Sequence, residues 1–223
     1  MGKRAIVRNL LIILVLACGL YLLGNGRVSL WDRDEPRYAQ TSRQMLQSGD
    51  WIVPRFLDEP RLKKPALIYW CQALSMRIFG DAPLSDDDRE EFSDDLGDDA
   101  FAARFPSAVA MTGVLAILAA FIWRIAGPSR AVWTAFILAT SAMTFAAAKM
   151  CLTDAVLLLW VLPAQICLYA VWRGNRQWWL FAVWGLLIGL AGLTKGPYVL
   201  AILATTAIAM WLLSPSPVGG GSG

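Results

Sequence analysis

Histidine is absent from the 223 residues. That removes the commonest general base and the commonest transition-metal ligand, so acid-base chemistry falls to carboxylates. Charge is scarce as well. With 17% charged residues against 57% hydrophobic, and a mean hydropathy of +0.50, the chain is too apolar for an ordinary soluble domain. Cysteine is sparse and unpatterned: Cys18, Cys71, Cys151 and Cys167 show no CxxC spacing, and Cys18 and Cys167 sit inside apolar runs. They read as small hydrophobes and not as a disulfide or zinc framework. Acidic residues are nearly missing outside one stretch. Residues 25–104 carry 11 Lys/Arg and 16 Asp/Glu, while the remainder carries 9 and 1. The basic excess of the remainder is scattered among short loops and forms no stripe, which argues against a nucleic-acid partner.

What the chain has in quantity is apolar runs. Lys3, Arg4 and Arg8 precede a run from Leu10 to Leu23, and Ala5 to Gly24 is long enough to span a bilayer. The flanks suit a signal peptide but an A-x-A-like cleavage site is missing, so the run reads as a retained anchor with a cytoplasmic N-terminus. Further spans are expected at Phe105–Ala126, Ala131–Ala148, Ala155–Trp172, Trp178–Thr194 and Tyr198–Leu213, making six in an all-α membrane protein. The loops Arg124–Arg130 and Arg173–Gln177 hold two arginines each, as cytoplasmic loops should. The opposite face receives the long loop 25–104, the turn Lys149–Asp154 and the turn Lys195–Pro197. Their charges therefore converge on one extracytoplasmic site. Gly185, Gly189 and Gly192 at helical spacing predict a close helix approach, Pro163 a kink and Gln165 an inter-helix hydrogen bond. Residues 1–213 form one transmembrane domain in this reading, and 214–223 a flexible tail.

The long loop, above all Trp31 to Gly80, is the one segment dense in charge, aromatics and proline. Asp34, Arg37, Tyr38, Thr41 and Met45 share one face of a helix that Gly49 stops. A second helix is expected from Pro65 to Gly80, lying in the membrane interface with Tyr69 and Trp70 at headgroup level. Both are juxtamembrane. Residues 81–99 contain ten acidic residues and one arginine, a composition that cannot bury itself and predicts a mobile, solvated segment. A calcium loop is the rival reading of this run, disfavoured because the twelve-residue ligand spacing with its central glycine is missing.

Two adjacent carboxylates, Asp34 and Glu35, open the first juxtamembrane helix. They read either as N-terminal caps or as a general base held at the membrane surface. Arg37, Lys63, Lys64 and Lys195 supply the cations a lipid phosphate needs. Asp154 at the mouth of a span is costly near hydrocarbon unless it faces a polar cavity, and a Lys149–Asp154 pair is the plain structural alternative.

The runs DEPRYA, GDWIVPRF, KPALIYW, ARFPSAV, LTDA and GLTKGP stand in this order between about residues 5 and 213. In that combination the chain resembles the ArnT/PMT-like glycosyltransferases of the GT-C class, the lipid A aminoarabinose transferases and protein O-mannosyltransferase relatives. The resemblance implies a GT-C-like fold and transfer of a sugar from a polyprenyl-phosphate donor to a glycolipid, glycan or protein acceptor. It implies a multi-pass protein of the bacterial inner membrane with a periplasmic active face. Asp34, Glu35 and Asp154 then fall in catalytic positions, and Arg37, Tyr38, Lys64 and Lys195 at the donor phosphate. The family usually has an acidic residue just before the KP lysine, where this chain has Lys63. No metal ligand set is fixed, and a divalent metal stays open as a cofactor. The family is also about twice as long or more, so the chain is expected to be a fragment or half of a split enzyme, its cavity completed by a second polypeptide or a second copy. Two rivals are a lipid-phosphate-binding protein without transfer and a small transporter, the latter disfavoured because the polar groups gather on one face and not at the midplane.

Overall fold

The computed structural model describes residues 3–30, 34–57, 59–80 and 97–213. The first apolar run forms α1 (Lys3–Leu22), and the loop helix forms α2 (Glu35–Ser48), which ends where Gly49 takes φ 68° and returns its N–H to the Met45 carbonyl. Between α2 and the next helix lies a small hairpin that the sequence did not signal, β1 (Arg55–Phe56) and β2 (Glu59–Pro60), antiparallel with Arg55 opposite Pro60 and Phe56 opposite Glu59. Its turn holds Leu57 at φ 50°, a left-handed conformation that a leucine keeps only when its surroundings impose it. Gln44 of α2 imposes it here, its Oε1 accepting the Leu57 N–H at 3.1 Å.

After α3 (Leu67–Phe79) come α4 (Gly97–Ala126), α5 (Pro128–Thr140), α6 (Ala142–Lys149), α7 (Thr153–Trp172), α8 (Trp178–Lys195) and α9 (Tyr198–Leu213). α4 is the hub, packed against α1, α3, α5, α6 and α7, while α8 leans on α7 and α9 closes on both. The main core runs through Tyr21, Met45, Ile68, Tyr69, Leu115 and Cys151, joining α1, α2, α3 and α4 to the turn before α7.

Several expectations change. By length and apolarity four helices can cross a membrane, within Arg4–Leu22, Ala100–Ala126, Thr153–Trp172 and Trp178–Lys195. The expected span at 131–148 is instead the pair α5 and α6, bent by 60° at extended Ser141, and counts as a fifth crossing only if the pair is one broken span. The Thr140 hydroxyl bonds back to the Phe136 carbonyl at 2.9 Å just before the break, the local competition that weakens a helix end. α9, at 16 residues, is shorter than the roughly 20 a bilayer requires. The described residues thus hold four candidate spans, or five with the bent pair as one, and the chain is multi-pass. Of the acidic segment 81–99, residues 81–96 lie outside the described residues and 97–99 belong to the first turn of α4. The tail 214–223 also lies outside them. The second juxtamembrane helix starts at Leu67, two residues after Pro65, and does not lie with Tyr69 at a headgroup surface: Tyr69 is fully buried and packs on Tyr38 at 5.7 Å. Its outer face carries Leu74 and Ile78 instead.

The glycine expectation is also corrected. A Cβ at Gly185, Gly189 or Gly192 would meet nothing within 4 Å, whereas one at Gly113 would stand 2.9 Å from Leu159 Cδ1. The close approach is between α4 and α7. Gln165 does make its inter-helix bond, donating to the Thr206 hydroxyl at 2.9 Å.

One buried ion pair ties the loop to the bundle. Arg104, in the first turns of α4, donates from Nε and Nη2 to the two Glu35 oxygens at 3.1 and 2.8 Å. Its remaining N–H groups reach the carbonyls of Asn25 (2.9 Å), Val28 (2.7 Å) and Ser29 (3.0 Å), so all five guanidinium donors are used. Glu35 Oε1 also accepts the Cys151 N–H at 2.7 Å, and the Glu35 carbonyl accepts the Cys151 thiol at 3.3 Å. Burial, and then the Glu35 charge, push the Cys151 thiol well above its ordinary pKa, so it stays protonated and able to donate.

Arg104→Met should strand the Glu35 carboxylate and destabilise the fold by about 3–5 kcal/mol, read as a lower thermal midpoint in detergent. An unchanged midpoint would show that the pair does not hold the loop. Gly113→Val should cost about 1–3 kcal/mol through the Leu159 clash, while Gly185→Ala at the open face should leave the midpoint unmoved. The reverse ranking would contradict the α4–α7 packing.

Candidate functional site

The turn between α6 and α7 brings distant parts of the sequence to one end of the bundle. Gln72 of α3 donates to the Cys151 carbonyl at 3.4 Å and accepts the Ser42 hydroxyl of α2 at 2.9 Å, locking both loop helices to that turn. Asp154 then projects from the first turn of α7, more than half exposed, and takes the Lys195 ammonium from the last turn of α8 as its partner. The alternative pairing with Lys149 does not form. Lys149 Nζ donates to the Leu23 carbonyl at the end of α1.

α2 presents three of the expected residues to the same end. Asp34 occupies the N-cap position and makes no side-chain capping bond. Its carboxylate, 57% exposed, faces the Arg37 guanidinium at 3.6 Å. Glu35 points the other way and is buried against Arg104 and Cys151. Tyr38 is buried beneath Asp34. Burial, then the neighbouring Tyr69, push its phenol up to about 12, opposed by the Arg61 charge and a hydrogen bond from the Thr153 side chain. At neutral pH it is a neutral donor. Thr153, whose side chain faces the Tyr38 phenol, is the sequence neighbour of Asp154.

The expected phosphate cations are only partly assembled. Arg37 and Lys195 stand in this cluster, each beside a carboxylate. Lys64 is half-buried and Lys63 exposed in the turn before α3, and among the described residues neither makes an ion pair with the others. The structure adds Arg61, which nothing in its local sequence singles out from its basic neighbours. Its guanidinium lies 5.3 Å from the Tyr38 ring centroid and 5.5 Å from that of Phe56. Arg104 was also missed as a site-supporting residue. The available signal was a lone arginine in the alanine-rich head of an apolar helix, which demands a buried partner.

Among the described residues the donor set fits no metal centre. Among the described residues no three His, Cys, Asp or Glu side chains gather, and the position before Lys64 is an ammonium with no lone pair to offer. The cluster can bind an anion through Arg37 and Lys195 and accept a proton at exposed Asp34, beside a neutral phenol able to donate.

Residues 6–215 match the family described as dolichyl-phosphate-mannose-protein mannosyltransferase. The chain is 32% identical over 189 residues to the undecaprenyl phosphate-alpha-4-amino-4-deoxy-L-arabinose arabinosyl transferase of Yersinia pestis (strain Pestoides F), covering 82% of this chain and 31% of that relative. The protein of the same name from Yersinia enterocolitica serotype O:8 / biotype 1B is 31% identical over the same share. The fold superposes on the crystal structure of ArnT from Cupriavidus metallidurans bound to undecaprenyl phosphate with a TM-score of 0.73 at 21% identity, covering 91% of this chain and 35% of that one. The apo form of that protein matches equally, at 20% identity. The chain therefore spans about a third of the length of the relatives it matches. With its family match running from the first helix past the last, and its helices arranged as in ArnT, it belongs to the dolichyl-phosphate-mannose-protein mannosyltransferase family.

Proposed function

We propose that this chain serves sugar transfer from a polyprenyl-phosphate donor to an acceptor hydroxyl on the extracytoplasmic face of a bacterial inner membrane, with its N-terminus in the cytoplasm. One observation carries the reading: two exposed carboxylates and the two cations they pair with, from three distant parts of the sequence, share one end of a membrane bundle. Transfer needs a base for the acceptor and fixed positive charge where the leaving phosphate gains negative charge. Asp34 accepts the acceptor proton, its exposure leaving room for the hydroxyl. Arg37, Lys195 and Lys64 stabilise the departing phosphate. Asp154 sets the Lys195 ammonium, Tyr38 donates from its neutral phenol, and Glu35 positions the start of α2 from below. The names of the relatives, which join undecaprenyl phosphate to arabinosyl transfer, support this donor class.

A second reading is lipid-phosphate binding without transfer. Lys63 favours it, because an ammonium stands where the family usually has an acidic residue.

The test is transfer from a radiolabelled polyprenyl-phosphate sugar, in cell membranes in which the chain is expressed from its own locus. Asp34→Asn should lower transfer by about 10²–10⁴-fold while donor binding changes by no more than a few fold, because a base acts only in the reaction. Wild-type transfer by this variant would remove Asp34 as the base, and no transfer by the wild type would favour the second reading.

Lys195→Ala should weaken donor binding or slow phosphate departure by about 1.5–3 kcal/mol. The effect should be non-additive with Asp154→Ala, since each removal strips the other of its partner. Strict additivity would separate the two residues functionally.

A further inference from the structure

Beside the carboxylates and paired cations lies a cation that no described carboxylate neutralises. Arg61 follows the β1–β2 hairpin, its N–H fixed to the Pro54 carbonyl at 2.7 Å. The guanidinium rests between the Tyr38 and Phe56 rings, within the roughly 6 Å at which a cation is attracted to a ring face. Aromatic rings orient a guanidinium without cancelling its charge. Among the described residues Arg61 makes no ion pair, in contrast to Arg37, Arg104 and Lys195. Two polar atoms here lack partners: Arg61 Nε and the hydroxyl oxygen of Tyr69, both buried. Tyr69 is 0% exposed, and leaving such groups unsatisfied is costly unless something completes the site. Burial raises the Tyr69 phenol while the Arg61 side chain beside it lowers it, so the two groups adjoin one another.

A half-buried guanidinium held by its ring faces keeps its N–H edge for a ligand, and that edge matches the paired oxygens of a phosphate. The hairpin serves this presentation, since Gln44 holds Leu57 in its left-handed turn and thereby fixes where β2 delivers Arg61.

We infer that Arg61, steered by Tyr38 and Phe56 and assisted by the Tyr69 hydroxyl, is a phosphate-binding residue that engages the lipid monophosphate of the donor. This rests on the polyprenyl-phosphate reading above and adds a residue and a recognition mode to it. The shared chemistry is a phosphate ester, carried by a polyprenyl chain, by another membrane lipid or by none.

The full chain, purified in detergent, is titrated by tryptophan fluorescence with undecaprenyl phosphate, undecaprenol, phosphatidic acid and inorganic phosphate. Wild type should bind undecaprenyl phosphate at least about tenfold more tightly than undecaprenol, the worth of one charged hydrogen bond. Arg61→Met, which keeps a flexible apolar contact with both rings, should lose about tenfold for undecaprenyl phosphate and nothing for undecaprenol. Tyr69→Phe should lose a few fold in the same selective way. Arg61-dependent binding of phosphatidic acid at equal strength supports the phosphate role and assigns it to lipid phosphates in general. Competition by inorganic phosphate supports it with no lipid requirement. If Arg61→Met binds undecaprenyl phosphate as wild type does, with an unchanged thermal midpoint, Arg61 is only a strut between rings and the inference is overturned. If wild type itself does not distinguish undecaprenyl phosphate from undecaprenol, this inference falls together with the donor reading. Should Arg61→Met not fold, Arg61→Lys decides. It keeps the charge and loses the fork, so a several-fold loss confined to the phosphate ligand is expected, and equal affinity overturns the proposal.

Discussion

The Glu35–Arg104 pair is the constraint from which the rest of the architecture follows. A carboxylate and a guanidinium removed from water each lose several kcal/mol of hydration, and their attraction compensates only when the remaining donors and acceptors are also satisfied. Here they are: Arg104 spends its other N–H groups on the carbonyls of residues 25, 28 and 29, and Glu35 takes the Cys151 N–H. One side chain on α4 thus holds the exit of α1, the entry of α2 and, through Glu35, the turn into α7. The loop that carries the polar chemistry is anchored in the bundle and does not merely rest on it.

That anchoring explains why two neighbouring carboxylates have different fates. Consecutive residues at the start of a helix differ by about 100° in direction, so if one faces the core the other cannot. Glu35 turns inward to Arg104 and is spent on structure, leaving Asp34 outward with Arg37 as a partially exposed neighbour. Only Asp34 keeps the access that a proton-accepting role demands. The buried member fixes the position of the exposed one.

Much of this was legible in the sequence where a local rule applied. The α2 helix and its stop at Gly49 follow from spacing and from the left-handed freedom of glycine, and the gathering of Asp154 and Lys195 follows from counting spans and charges. What escaped was decided by tertiary contact. Ser141 breaks a helix without proline or glycine, Tyr69 turns to Tyr38 and not to a headgroup layer, and Gly113 makes the close contact that Gly185, Gly189 and Gly192 leave open. Periodicity says that a face is apolar and cannot say which apolar neighbour covers it. Arg61 was invisible for a similar reason: among Arg61, Lys63 and Lys64 nothing local distinguishes the one that finds two aromatic rings.

The cations of the cluster differ in how readily they can exchange partners, and this sorts their proposed roles. Arg104 is committed, since all five donors are filled in a buried setting and releasing any would strand a buried acceptor. Lys195 and Arg37 lie in pairs whose carboxylates are more than half exposed, the kind of pair worth at most about 1 kcal/mol. A phosphate, with more charge and more acceptor oxygens than a carboxylate, can take over these cations at little cost in lost pairing, while Asp34 and Asp154 regain water.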